Sequence, residues 1–153
     1  MRKTIIYAIG ITLVLIVLFY GIGNYLTENF EMYQNGFFPE GVHEDYMNKL
    51  MGLSGWVRND TIFPIKIEQI TPIGGHGIKY YTTIISSWGV SASTPDELSK
   101  FQLLEGKKLG PHSDVELGIF FQFSEEYAVN PVGYEIRYSV LGVKFTKYMI
   151  RSE

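Results

Sequence analysis

From Ile5 to about Gly23 the chain runs without a charge, and the first charged residue after Lys3 is Glu28. A helix of about 19 residues at ~1.5 Å per residue is about 28 Å long, close to the hydrocarbon core of a bilayer. A helix on the surface of a soluble domain shows one polar face, and this run shows none. Three readings compete: a retained signal anchor, a cleaved signal peptide and a buried core helix. A cleaved signal carries an apolar stretch of roughly 7–15 residues ahead of small residues; the run is longer, and Gly21-Ile22-Gly23 matches the small residues only loosely. The retained anchor fits best and is the expectation, with a cleaved and secreted form as the alternative. Tyr20 and Tyr25 fall where an aromatic belt lies, and Arg2 and Lys3 hold the N-terminus in the cytoplasm by the positive-inside rule. The membrane partner is the lipid bilayer, through residues 5–23, and the C-terminal domain is expected outside the cytoplasm. Type IV pilins also begin with a basic leader and an apolar helix, but their Gly-Phe junction and following Glu are missing here.

Charge and cysteine usage exclude several classes. A formal charge of −3 over 153 residues gives no basic footprint for nucleic acid. Zero cysteines remove disulfides, zinc–thiolate sites and thiol nucleophiles together. Three units follow: residues 1–24 as cytoplasmic stub and anchor, 25–50 as a juxtamembrane linker, and 51–153 as the outer domain. Asn35-Gly36 and Pro39-Glu40-Gly41 punctuate the linker. Phe37 and Phe38 are expected to pack locally, and a short helix is expected from His43 to Met51.

After residue 50 the apolar residues recur with period two. Ile65 and Ile67 alternate with Lys66 and Glu68, and Pro64 and Ile70 mark a strand start and a bulge. Residues 72–77, "PIGGHG", form a turn, and a β-branched and aromatic strand follows them. Val115, Leu117, Ile119, Phe121 and Phe123 share one parity; so do Tyr134, Ile136, Tyr138 and Val140. Gly142 separates the last of these from Val143 and Phe145, which reads as a hairpin with one buried face. Thr94, Pro95 and Glu97 have the spacing of a helix start, so a short helix is expected over 95–103. About seven strands at regular spacing favour a mainly β fold, an antiparallel immunoglobulin-like β-sandwich with one short helix; a small barrel is the second choice.

Chemistry-bearing motifs are few. His43, His76 and His112 share no ligand spacing. "GGHG" at 74–77 precedes a strand, where a phosphate cradle needs a helix N-terminus, so a hairpin turn is expected. Ser54 in "GLSG" lacks the spacing of a nucleophile elbow. Asp96 and Glu97 cap a helix, and Glu125 and Glu126 lie in a turn; neither pair faces itself across a cleft. "HSD" and "NPVG" supply too few oxygens for calcium. Asn59-Asp60-Thr61 matches a glycosylation sequon. Tyr80, Tyr81, Tyr127, Tyr134, Tyr138 and Tyr148 read as half-buried strand residues before they read as a binding platform. No catalytic, cofactor-binding or metal-ligating residue is assigned, and no cofactor is expected.

The stretches "NDTIFPIKIEQI" and "YEIRYSVLGVKFTKYMI", behind a short basic start and one apolar helix, resemble strand pairs in small signal-anchored proteins of Firmicutes type. The resemblance implies an uncharacterised immunoglobulin-like domain at the cell surface and carries no catalytic residue over. The expected function is a non-enzymatic binding or assembly role through a protein partner at the membrane surface. Two alternatives stand beside it. One is an extracytoplasmic hydrolase built from distant loops, with His76 or His112 beside an acid. The other is an accessory subunit of a membrane complex, packing through Gly10, Thr12 and Gly21/Gly23.

Overall fold

The computed structural model describes residues 2–36, 47–85, 94–125 and 129–150. Helix α1 spans Arg2–Glu28, and its segment Thr4–Glu28 is long and apolar enough to cross a membrane. Its side chains from Thr4 to Ile22 are exposed. The helix ends at Asn29, whose backbone and side-chain amides both donate to Tyr25 O. Strand β1 (Phe30–Gln34) then begins at once. Strand formation therefore starts inside the stretch expected as a linker. The region 37–46, with Phe37, Phe38 and His43, lies outside the described residues.

Seven further strands follow: β2 (Leu50–Asn59), β3 (Ile65–Ile73), β4 (Ile78–Ile85), β5 (Lys108–Leu109), β6 (Ser113–Phe123), β7 (Gly133–Val140) and β8 (Val143–Ile150). They form two four-stranded antiparallel sheets, ordered β1-β2-β6-β4 and β5-β3-β7-β8. The fold is mainly β, a sandwich, as the alternation predicts. The expected bulge falls between Ile67 and Gln69, and β7 and β8 form the expected hairpin. The turn at 74–77 is not a hairpin: β3 and β4 lie in different sheets, so the three positive-φ glycines 74, 75 and 77 carry the chain across the sandwich. Sequence alternation fixes which face of a strand is apolar, but it does not say which sheet the strand joins.

The core lies between the sheets. Ile65, Ile67, Leu117, Ile119, Phe121, Ile136 and Tyr138 fill it, and all are nearly or fully buried. Leu26 and Phe30 join the same cluster at 0% exposure. Helix α2 is shorter than expected, Pro95–Leu98. It closes a second small cluster, where Leu98 packs with Leu50, Phe120, Tyr81 and Phe101 on the other face of the first sheet. Tyr80 packs in the main core and Tyr81 in this second cluster, so the two rings serve opposite faces.

Candidate functional site: the end of the sandwich beside the helix

One end of the sandwich gathers the last turn of α1, the β2–β3 loop, the β5–β6 turn and the β7–β8 hairpin. The residues of β8 meet a descending series of partners. Met32 N donates to Met149 Sδ at 3.0 Å. Lys147 Nζ donates to Thr27 O and Phe30 O. The Phe145 ring stacks on Phe19 with centroids 6.3 Å apart. From residue 149 to residue 145, the partner steps from β1 back into the apolar helix. The hairpin tip thus reaches at least the level of Phe19.

Lys147 solves a local problem. The last carbonyls of a helix lack intrahelical donors and carry partial negative charge. Helix α1 has no basic residue in its last turn, so a lysine from β8 supplies both the donor and the charge. Burial lowers the Lys147 pKa, and Glu31 partly offsets this. Beside it runs an aromatic row. Phe145 stacks on Tyr138 at 5.6 Å, and Tyr138 contacts Phe30 at 4.8 Å. The Tyr138 hydroxyl is buried without a well-placed hydrogen-bond partner, because the nearby Thr27 hydroxyl is turned to Gly23 O at 2.9 Å. Burial raises its pKa, and Thr27 offsets this in part.

Asn59 pins the two loops. Its side-chain amide donates to Phe63 O and Gly110 O, each at 2.8 Å. Its carbonyl accepts from Thr61 N at 3.1 Å and Thr61 Oγ1 at 2.7 Å. Tyr25 of α1 adds a tie, its hydroxyl accepting from Ile62 N at 3.2 Å. Asn59 and Thr61 are fully buried. The sequon read from sequence is therefore a structural element of the folded domain: the nitrogen that a glycan would take is committed inside.

The outer face of the second sheet carries a cationic row. Lys108 pairs with Lys66, Lys66 with Ser139, and Ser139 with Lys144, so one rung crosses all four strands. The row lines a shallow groove with Pro64, Glu68 and Leu141. Like charges directly opposite each other destabilise a sheet, which makes the Lys66–Lys108 pair costly to folding. Glu68 relieves part of this. It accepts from Ser139 Oγ at 2.7 Å and lies 3.4 Å from Lys66 Nζ. The Ser139 hydroxyl lowers its pKa against an opposing effect of burial, with Lys66 and Lys144 adding to the lowering.

Comparison of the chain with protein-family models, with curated proteins and with solved structures returned no match. The assignment of a site therefore rests on geometry alone.

The histidines singled out in the sequence are scattered. His76 lies at the far end of the sandwich, 2.7 Å from Glu125, and both side chains are more than half exposed. His112 is exposed in the turn before β6. The length of β6 separates them, roughly 35 Å at 3.3 Å per residue. Ser54 is an exposed strand residue, and Asp96 and Glu97 occupy the first turn of α2. Glu126 and Tyr127 lie outside the described residues. Tyr134 and Tyr138 are core residues, while Tyr148 is exposed. Beyond the helix's own backbone and their chain neighbours, nothing lies within 4 Å of where a Cβ would stand at Gly10, Gly21 or Gly23. Among the described residues, no group of three acidic or histidine side chains is placed to hold a metal.

Three features escaped sequence reasoning: β1, the Lys147 cap and the lysine row. Lys147 left a signal, since it shares the inward parity of Phe145 and Met149. The lysine row left none, because it exists only once four strands are in register.

Proposed function

We propose that this protein is a single-pass membrane protein whose β-sandwich is held outside the cytoplasm and acts by binding or assembly, without catalysis. The observation that carries this reading is the exposed apolar helix built directly into the sandwich. A helix with apolar side chains all round belongs in lipid or in a large core, and from Thr4 to Ile22 these side chains are exposed, with Phe19 resting on the Phe145 ring. Retention of the helix is favoured over cleavage because Gly21-Ile22-Gly23 is helical and one turn from Leu26, which belongs to the core. Arg2 and Lys3 set the orientation.

We further infer that the sandwich is of immunoglobulin type. The order β1-β2-β6-β4 against β3-β7-β8 corresponds, strand for strand, to ABED against CFG, with β5 an added two-residue edge. A binding role is supported by the groove's chemistry. Its single carboxylate is already satisfied by Ser139 and Lys66, which leaves a cationic surface and not an acid–base pair. Partition of the full chain into carbonate-washed membranes, with removal of the sandwich by protease added to intact cells, tests the reading. Recovery in the soluble fraction at a mass lacking the first 23 or so residues would replace it with the secreted form. Hydrolysis of a cell-wall or peptide substrate by the purified chain would overturn the non-catalytic assignment.

A further inference from the structure

The end of the sandwich beside α1 breaks two local rules at once. The β7–β8 turn is Leu141-Gly142, with φ of 50° and 83°. Two-residue turns with both φ positive take Asn-Gly or Asp-Gly, and a leucine in the left-handed region costs about 1–2 kcal/mol. Leu141 is nonetheless kept there at 77% exposure, with Val143 at 41% beside it and Ile62 at 61% on the neighbouring loop. Two rungs above the tip, about 7 Å along the strands, lies the row Lys108–Lys66–Lys144. An apolar rim below a cationic row is the pattern of a surface that rests at the boundary of acyl chains and headgroups.

The contacts with α1 set the depth. Phe145 touches Phe19, inside the apolar run, and the tip lies beyond Phe145. If α1 spans a bilayer, that contact brings this end of the sandwich to the lipid, with the tip foremost and the lysines up to two rungs behind it, their stems long enough to reach back toward the phosphates. The groove itself holds one carboxylate, Glu68, which is held by Ser139 and Lys66, and on the neighbouring loop Asp60 lies 3.8 Å from Arg58. Within the groove, three lysines face one carboxylate.

We propose that this end of the sandwich is a lipid-docking surface. Leu141, with Ile62 and Val143, enters the lipid, and Lys66, Lys108 and Lys144 gather anionic headgroups. The proposal rests on the reading that α1 spans a bilayer, and its test separates the two.

Because the chain has no cysteine, single-cysteine variants take a fluorophore at one site. Full chains carrying V14C, L141C or T71C are labelled with an environment-sensitive dye and placed in phosphatidylcholine nanodiscs. Trace spin-labelled lipid, either phosphatidylcholine or phosphatidylglycerol, then serves as quencher. Quenching at positions 14 and 141 but not at 71 is expected. At position 141 the anionic quencher should outperform the zwitterionic one several-fold, since each lysine near an anionic surface favours it roughly fivefold. That preference should fade in the K66Q/K108Q/K144Q background and at high salt.

Quenching at 14 but not at 141 overturns docking and leaves the anchor standing. Absence of quenching at 14 overturns the anchor and docking together. Equal quenching at 141 by both lipids overturns the role of the lysine row. That comparison needs only L141C, so a folding defect in the triple variant does not shelter the proposal.

Discussion

Leu26 gives the sharpest test of how helix and sandwich are joined. It sits in the last turn of α1 and is fully buried against the sandwich core. Replacing it with alanine removes buried methyl groups and leaves a cavity under Phe30 and its neighbours. Such replacements cost about 2.7–5 kcal/mol, depending on how far the surroundings relax. The site is closed by two sheets and the helix end, so little collapse is available and about 4 kcal/mol, in the upper half of that range, is expected. For a domain of this size that lowers the melting temperature by roughly 15 °C. The assay is thermal unfolding of the full chain in detergent micelles, followed by near-ultraviolet circular dichroism of the sandwich aromatics. Leu13→Ala is the control: the same chemistry on the same helix, at an exposed position. It should leave the melting temperature within about 2 °C, as substitutions outside the packed core do. If Leu26→Ala behaves like Leu13→Ala, the helix end is no part of the core, and the coupling described above is wrong.

Asn59→Ala strands the buried carbonyls and amide of both loops and should cost about 3 kcal/mol, read as a lowered urea midpoint. Gly133→Ala would put a Cβ 2.1 Å from Met149 O; faster amide exchange along β8 is expected, and unchanged exchange would show that the hairpin yields without loss. Tyr134 donates to Gln34, and burial holds its pKa well above the usual tyrosine value. A folded pKa above the unfolded one gives stability that is complete below pH about 10 and lost as pH rises beyond it. Tyr134→Phe should therefore flatten the fall in urea midpoint above pH 10, and an unchanged alkaline slope would assign that fall to other groups. Lys147→Met removes the donor to the end of α1 and should lower the melting temperature of the full chain. Its size is that of one or two charge-assisted hydrogen bonds, about 1.5–3 kcal/mol each before the relief of desolvation.

Much of the β architecture was legible in the sequence because alternation records burial directly. Tyr134, Ile136, Tyr138 and Val140 declare an inward face, and all four are buried. Strand β1 was not legible. "FEMYQ" is five residues long, follows a helix after one residue and carries an acid, so neither length nor composition distinguishes it from a linker. Its inward Phe30 becomes meaningful only when Tyr138 is found against it. The same holds for the crossing at residues 74–77, where the glycines announce a turn but not its destination. The lysine row is the extreme case. Lys66, Lys108 and Lys144 each look like ordinary solvent-facing strand residues, and only the register of four strands makes them one surface.

The single-residue junction at Asn29 has a rotational consequence. Each residue of α1 turns the helix by about 100°, and Leu26, Asn29 and Lys147 fix the angle at which the helix meets the sheets. The azimuth of the sandwich is thus locked to the phase of the helix. A neighbour that packs against the Gly10 face of α1 always meets the same side of the sandwich above it. One residue inserted between Gly10 and Leu26 would turn the two faces by about 100° relative to each other while leaving each intact.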